Sequence, residues 1–278
     1  MTQQVHVGQE LGQVKETLLM TLYLRAVDNR RARPVLGDPY AQRIMEQIDY
    51  DFGRLRGLRG SASLVAVRAR RFDLWTAEFL REHPDGLVLH LACGLDSRPL
   101  RVARPATALW IDVDYPEVVS LRERLYGPIE GVRTLGASVT ESAWWSQVPR
   151  DRPALVVAEG LLMYLSPEDV SRLVNRVVGH FSTGRLAFDG VAPWVRSVSG
   201  LHPALRRAGT SFRWALPAPE VFARAHPPLR LLGEVSGVDE IGRRAHSSAA
   251  RATVRALAKV PMVGEALRVV KYGFAVTS

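Results

Sequence analysis

Short apolar runs recur along this chain, and stretches with apolar positions three and four apart separate them. The runs at residues 87–92, 108–113, 132–137, 154–159, 185–190, 229–236 and 272–276 are brief and rich in Val, Leu and aromatic residues, which predicts seven strands. Several, such as Ala154-Leu155-Val156-Val157-Ala158, show no polar alternation, as parallel strands covered on both faces require. Helical spacing predicts helices over 13–27, 58–81, 116–126, 167–181 and 248–270, the last interrupted near Pro261. Ser166 before Pro167 is a good N-cap with proline in the first turn. Strands alternating with helices predict an α/β chain with a doubly wound, mostly parallel sheet and helices on both faces.

Two regions stand outside that alternation. Residues 1–57 form a helical, Arg-rich lead-in, and residues 193–228, rich in proline, histidine and aromatics, lie between the fifth and sixth strands. Both are expected to pack over the crevice of a binding domain at 58–278 as a helical lid, where substrate selection resides.

Composition narrows the partners. With 47% hydrophobic and 23% charged residues, the 278-residue chain has an ordinary globular balance. Its net charge of +9 is carried almost wholly by arginine, since only Lys15, Lys259 and Lys271 are lysines. The arginines are spread, without a long basic block or interleaved aromatics, so no nucleic-acid partner is expected. Cys93 is the only cysteine, which excludes an intrachain disulfide and a cysteine-rich metal site. The apolar run at 18–24 is too short to span a bilayer and lacks the flanks of a secretory signal, so a cytoplasmic protein is expected.

Four segments carry candidate chemistry. The first predicted strand runs into the turn Ala92-Cys93-Gly94-Leu95-Asp96, placed where open α/β sheets bind nucleotides, and glycine there lets a ligand approach the backbone. The second strand ends Asp112-Val113-Asp114, roughly twenty residues on, where a carboxylate accepts ribose hydroxyls. Asp112 and Asp114 share a strand face, and the strand-end position favours Asp114. Glu159, closing the fourth strand, faces the same crevice and suits a ligand ammonium, with Tyr164 as part of the wall. On the helix before the first strand, Arg68-Ala69-Arg70-Arg71-Phe72-Asp73 offers a guanidinium fork for a carboxylate, and Arg68 and Arg71 share one helix face.

In order and spacing these segments resemble the leucine carboxyl methyltransferase family, and within it the bacterial tetracenomycin-type polyketide O-methyltransferases. The stretches 138–144, 202–207 and 212–214 resemble that branch as well. The resemblance implies a Rossmann-like class I methyltransferase using S-adenosyl-L-methionine. It implies that an arginine of the 68–71 segment (Arg68, Arg70 or Arg71) holds the methionine carboxylate and that Ala92 and Gly94 line the cofactor. By the same resemblance Asp114 binds the ribose, Ser138 and Val139 flank the adenine, and Glu159 contacts the ammonium.

Methyl transfer to a carboxylate needs alignment and no general base, because the nucleophile is already ionised at neutral pH. The sequence shows no evident base-plus-orienter pair, which fits a methyl ester; the resemblance implies a polyketide, other natural-product or peptide C-terminal carboxylate as the acceptor. A phenol or alcohol acceptor would call for a base, for which His202 and His226 are the placed candidates. Arg206, Arg207 and Arg213 are placed to orient an acceptor carboxylate, with Tyr164 beside them. The rival readings are a nicotinamide oxidoreductase, which would require a three-glycine fingerprint, and a non-catalytic protein keeping the fold.

Overall fold

The computed structural model describes residues 5–6, 12, 14–201, 205–206, 209–244 and 261–275. A two-residue parallel pair, β1 (Val5–His6) with β2 (Ile48–Asp49), lies in the N-terminal region. The other strands are β3 (Leu87–Leu91), β4 (Leu109–Asp114), β5 (Val132–Gly136), β6 (Ala154–Ala158), β7 (Thr183–Val191), β8 (Leu229–Ser236) and β9 (Leu267–Ala275). They form one seven-stranded sheet in the order β5-β4-β3-β6-β7-β9-β8. The first five are mutually parallel, and β9 runs antiparallel between β7 and β8. Every residue of β3 and β6 is buried, whereas the edge strand β8 begins buried and then alternates, which is why the central strands read as unbroken apolar runs.

The helices are α1 (Val14–Asn29), α2 (Pro39–Gln47), α3 (Ala62–Glu82), α4 (Arg98–Arg101), α5 (Pro116–Tyr126), α6 (Pro167–His180), α7 (Pro193–Val198), α8 (Pro219–Ala225) and α9 (Gly237–Arg244). Asp38 caps α2 by accepting the Tyr40 and Ala41 amides, and Ser166 caps α6 by accepting the Asp169 amide, as the sequence led us to expect at Ser166. Three apolar layers result. On one sheet face α6 packs Val170, Val174 and Val177 against Leu89, Val156 and Phe188. On the other, α3 packs Phe72, Trp75 and Phe79 against Val88, Leu155 and Ala187. A separate cluster joins α1, α2 and α5 through Leu19, Leu22, Ile44 and Leu121.

Two sequence expectations are corrected. Of the helix expected over 248–270, the described residues keep only a short one, α10 (Pro261–Gly264), before strand begins at Leu267, where pairing with β7 on one side and β8 on the other buries Val269, Val270, Tyr272 and Phe274. Here sheet pairing overrides local helical spacing; residues 248–260 lie outside the described residues. The helix expected from residue 58 begins as a 3-10 turn at Phe52–Ser61, a segment with Gly53, Gly57 and Gly60, and becomes α-helical only at Ala62.

Candidate active site

The strand order reverses between β3 and β6: the chain steps outward from β3 through β4 to β5, then returns to β6 on the other side of β3. That switch opens a crevice at the carboxyl ends of these strands. A cavity of about 1010 Å³ occupies it. Its walls include the 92–96 turn, Asp114, Val139, Glu159 and Arg68, as well as Thr17, Leu18, Thr21 and Arg25 of α1.

Ala92 and Gly94 both sit in the left-handed region, at φ 50° and 52°. A Cβ on Gly94 would lie 2.9 Å from the Leu18 Cδ1, so α1 rests directly on the turn. Buried side chains of α5 fix the turn from behind: Arg122 donates to the Gly94 and Asp96 carbonyls at 3.2 and 2.6 Å, and the Tyr126 hydroxyl donates to the Leu95 carbonyl at 2.9 Å. Positions four apart on one helix thus satisfy three successive turn carbonyls.

The two aspartates of β4 separate cleanly. Asp112 is fully buried and held by His90, Trp110 Nε1 (2.7 Å) and the Arg122 guanidinium (2.7 Å). Burial works against its ionisation, but Arg122 and His90 outweigh that and keep it below the usual carboxylate range. Asp114 faces the cavity and accepts the Gly94 amide at 2.7 Å and the Tyr115 amide at 2.8 Å. Burial pushes its carboxyl above the usual value, and the two amides offset this only in part.

Glu159 lies beside Ala92 because Leu91 and Ala158 are register partners. Arg68 Nε donates to one of its oxygens at 3.0 Å and Arg98 Nη2 to the other at 2.5 Å. The two guanidiniums outweigh burial and hold Glu159 below the ordinary carboxylate range. Of the candidate arginines, Arg68 faces the cavity, Arg71 pairs with Glu240, and Arg70 is not among the lining residues. Arg68 also donates to Asp189 Oδ2 at 3.1 Å, and its two acidic neighbours outweigh burial and keep it charged.

Behind the turn Asp96, Arg98, Arg101, Asp73, Asp38 and Arg25 form a continuous buried ion network. Asp96 Oδ1 also accepts the Arg98 amide at 2.9 Å, at the first turn of α4. A dinucleotide pyrophosphate would need such amides free at the helix N-terminus after the first strand. Here the chain's own carboxylate occupies that place, and cavity-facing Asp96, Asp114 and Glu159 would repel a phosphate. Around this end carboxylates (Asp38, Asp73, Asp96, Asp112, Asp114, Glu159, Asp189) outnumber guanidiniums (Arg25, Arg68, Arg98, Arg101, Arg122) among the described residues. That balance fits a net cationic ligand such as S-adenosylmethionine better than a nicotinamide dinucleotide.

The other end of the cavity is apolar. Leu64, Met163, Tyr164, Val191, Val195, Phe212 and Leu267 pack as one cluster, with Tyr164 edge-on to Phe212 at 5.3 Å. Burial pushes the Tyr164 hydroxyl up to about 12. Arg213, exposed at this rim, is anchored by its amide on the Met163 carbonyl at 2.8 Å. Val139 lines the cavity, whereas Ser138 does not: its hydroxyl bonds Thr140 and its carbonyl accepts Trp144 Nε1. His226 is buried against Phe222 away from the cavity, Arg206 is exposed beside Thr210 in a small adjoining hollow, and His202 and Arg207 lie outside the described residues.

Sequence reading missed Arg98, Arg122 and Asp189, because nothing in their local spacing signals a buried ionic partner from another element. No helix among the described residues is long and apolar enough to cross a membrane.

Comparisons with known proteins bear on the fold and the family. Solved structures of a DUF574-family protein from Streptomyces avermitilis (TM-score 0.57, 14% identity, 91% of this chain and 97% of that one) and of an S-adenosylmethionine-dependent methyltransferase from Anabaena variabilis (TM-score 0.51, 13% identity, 74% and 84%) share the fold. In sequence the chain is 48% identical, over 81% of its length and 84% of the relative's, to the tetracenomycin polyketide synthesis O-methyltransferase TcmP of Streptomyces glaucescens. It is 35% identical to the S-adenosyl-L-methionine-dependent methyltransferase dpfgK of Gibberella zeae, covering 78% of this chain and 80% of that one. The family model for leucine carboxyl methyltransferase matches residues 18–178, and the chain is a methyltransferase belonging to that family.

Proposed function

We propose that this S-adenosylmethionine-dependent enzyme is an O-methyltransferase that forms a methyl ester on the free carboxylate of a small natural product of polyketide type. The observation that carries this reading is the composition of the apolar chamber. Among its described residues no histidine, aspartate or glutamate stands ready to take a proton, and Arg213 is the cation at its rim. A phenol needs a base near the reacting oxygen; a carboxylate needs only orientation and dehydration. Relatedness to an enzyme named for polyketide synthesis supports the acceptor class.

In this reading Arg68 takes the carboxylate and Glu159 the ammonium of the cofactor's amino-acid end. Asp114 accepts the ribose hydroxyls, using the acceptor capacity left after its two amides. Ala92 and Gly94 lie along the ligand, Val139 flanks the adenine, and Ser138 serves that end only through the backbone that places Val139. When bound, S-adenosylmethionine supplies an electrophilic methyl group for in-line displacement. Arg213 pairs with the acceptor carboxylate, Tyr164 and Phe212 flank its ring system, and the apolar wall strips water from the nucleophile.

The test is incubation with methyl-labelled S-adenosylmethionine and paired aromatic acceptors, each bearing either a carboxylate or a phenol. We expect label on the carboxylic acids, released as methanol by mild alkali. Alkali-stable label on the phenols would overturn the ester assignment while leaving the methyltransferase identity intact.

A further inference from the structure

Asp189 has no part in the roles assigned so far, yet its placement is unusual. On β7, Leu186 and Phe188 face the α6 layer, whereas Ala187 faces α3. By strand alternation Asp189 follows Ala187 onto the α3 side. It is fully buried and does not line the cavity. Its Oδ2 accepts Arg68 Nη1 at 3.1 Å, and its Oδ1 accepts the Gly160 amide at 2.6 Å. Gly160, at φ 66°, immediately follows Glu159, and the Arg68 guanidinium lies 3.6 Å from the place a Gly160 Cβ would take.

One buried carboxylate therefore fastens two elements: the α3 side chain that faces the cavity and the turn that carries Glu159. Without it, Arg68 would hold only Glu159, and the pair could move together or close on itself. An arginine with a second, cavity-remote partner keeps its place when Glu159 engages a ligand cation. A zwitterionic amino acid demands that fixed spacing, because its carboxylate and ammonium sit on one carbon.

We propose that Asp189 is a positioning residue for the cofactor's amino-acid end: it sets Arg68 and Glu159 at the spacing that captures a zwitterion. This inference rests on the reading of Arg68 and Glu159 given above. It predicts a selective effect, since a ligand lacking the amino-acid moiety has nothing to gain from that spacing.

The experiment measures binding of S-adenosylhomocysteine and of 5′-methylthioadenosine, which keeps the nucleoside but lacks the amino acid, to the full-length wild type, Asp189→Asn and Arg68→Ala. Asparagine retains an acceptor for the Gly160 amide and removes the charge that holds Arg68. Asp189→Asn is expected to weaken S-adenosylhomocysteine on the order of tenfold and to leave 5′-methylthioadenosine within about twofold. Equal weakening of both ligands, or of neither, overturns the proposal. Arg68→Ala reports on the underlying reading: if it too fails to discriminate between the ligands, the amino-acid end has been misplaced. If Arg68→Ala discriminates and Asp189→Asn does not, only the role of Asp189 falls. Should Asp189→Asn not fold, Asp189→Ser is read by the same two ligands, with the same outcomes deciding.

Discussion

Asp114 shows how a single side chain ties fold to ligand. It ends β4, takes two backbone amides that shape the turn, and still faces the cavity. Because burial raises its pKa, the acid form persists to higher pH than in an exposed aspartate. In the proposed reading ribose hydroxyls donate to the ionised form, so cofactor affinity is complete above the raised pKa and falls as the pH drops through it. Glu159 is held in the opposite direction by Arg68 and Arg98 and stays ionised across that interval. The dependence of kcat/KM for S-adenosylmethionine on pH should therefore show an acid limb above the pKa of an exposed aspartate. In Asp114→Asn that limb should flatten, and affinity at neutral pH should fall by roughly 10- to 100-fold, the scale of a hydrogen bond to a charged group. An unchanged limb in the variant would assign it elsewhere, with Asp189, whose pKa burial also raises, the next group to examine.

At the scale of elements, the contact of α1 with the 92–96 turn makes a quantitative case. Gly94→Ala meets two obstacles: the left-handed backbone, costing about 1–2 kcal/mol for an L-residue, and the Leu18 methyl 2.9 Å from the new Cβ. Leu18→Ala removes the second obstacle and not the first. The double variant should recover part of the cofactor affinity lost in Gly94→Ala, and thermal melts of the four proteins would show a favourable coupling between the sites. Strict additivity would mean that α1 does not bear on the turn. The turn was legible in the sequence because a strand, a glycine and a distant carboxylate keep their spacing along the chain. So were β3 and β6, whose buried faces leave unbroken apolar runs. The start of β9 was not, since Leu267–Val270 fits a helical pattern until β7 and β8 are in place to pair with it. Arg98, Arg122 and Asp189 were hidden for a related reason: their partners come from other elements, and a charged residue in sequence looks the same whether it will be solvated or buried. Proximity in sequence offered no choice between Asp112 and Asp114 beyond the strand end; in the structure Asp112 is buried beside Trp110 and Arg122, whereas Asp114 lines the cavity.

At the scale of the whole molecule, the cavity is lined by the sheet and by two distant parts of the chain. The strand ends line one side of the cavity, while α1, α7, Leu205 and Phe212 line another. The core of α1 is shared with α2, α5, the start of α3 and Leu95 of the turn, and is distinct from the clusters that flank the sheet. Besides the Leu18 contact with the turn, the buried Arg25–Asp96 pair at 2.9 Å ties α1 to the strand ends, within the same ion network that carries Arg98 to Glu159. In the proposed reading α1 and α7 move aside as a ligand enters the cavity of about 1010 Å³, and elements that move in this way belong to the low end of local stability. Hydrogen exchange should therefore show S-adenosylhomocysteine protecting the amides of α1 strongly and those of α7 less, because α7 borders the acceptor chamber that this ligand leaves unfilled. The amides of β3 and β6, which exchange through global unfolding, should slow only by the factor by which the ligand stabilises the whole native state. Adding a carboxylate acceptor should extend the protection to α7 and Phe212. Protection confined to the strand ends, with α1 unaffected, would show that the ligand enters without passing beneath the N-terminal helix.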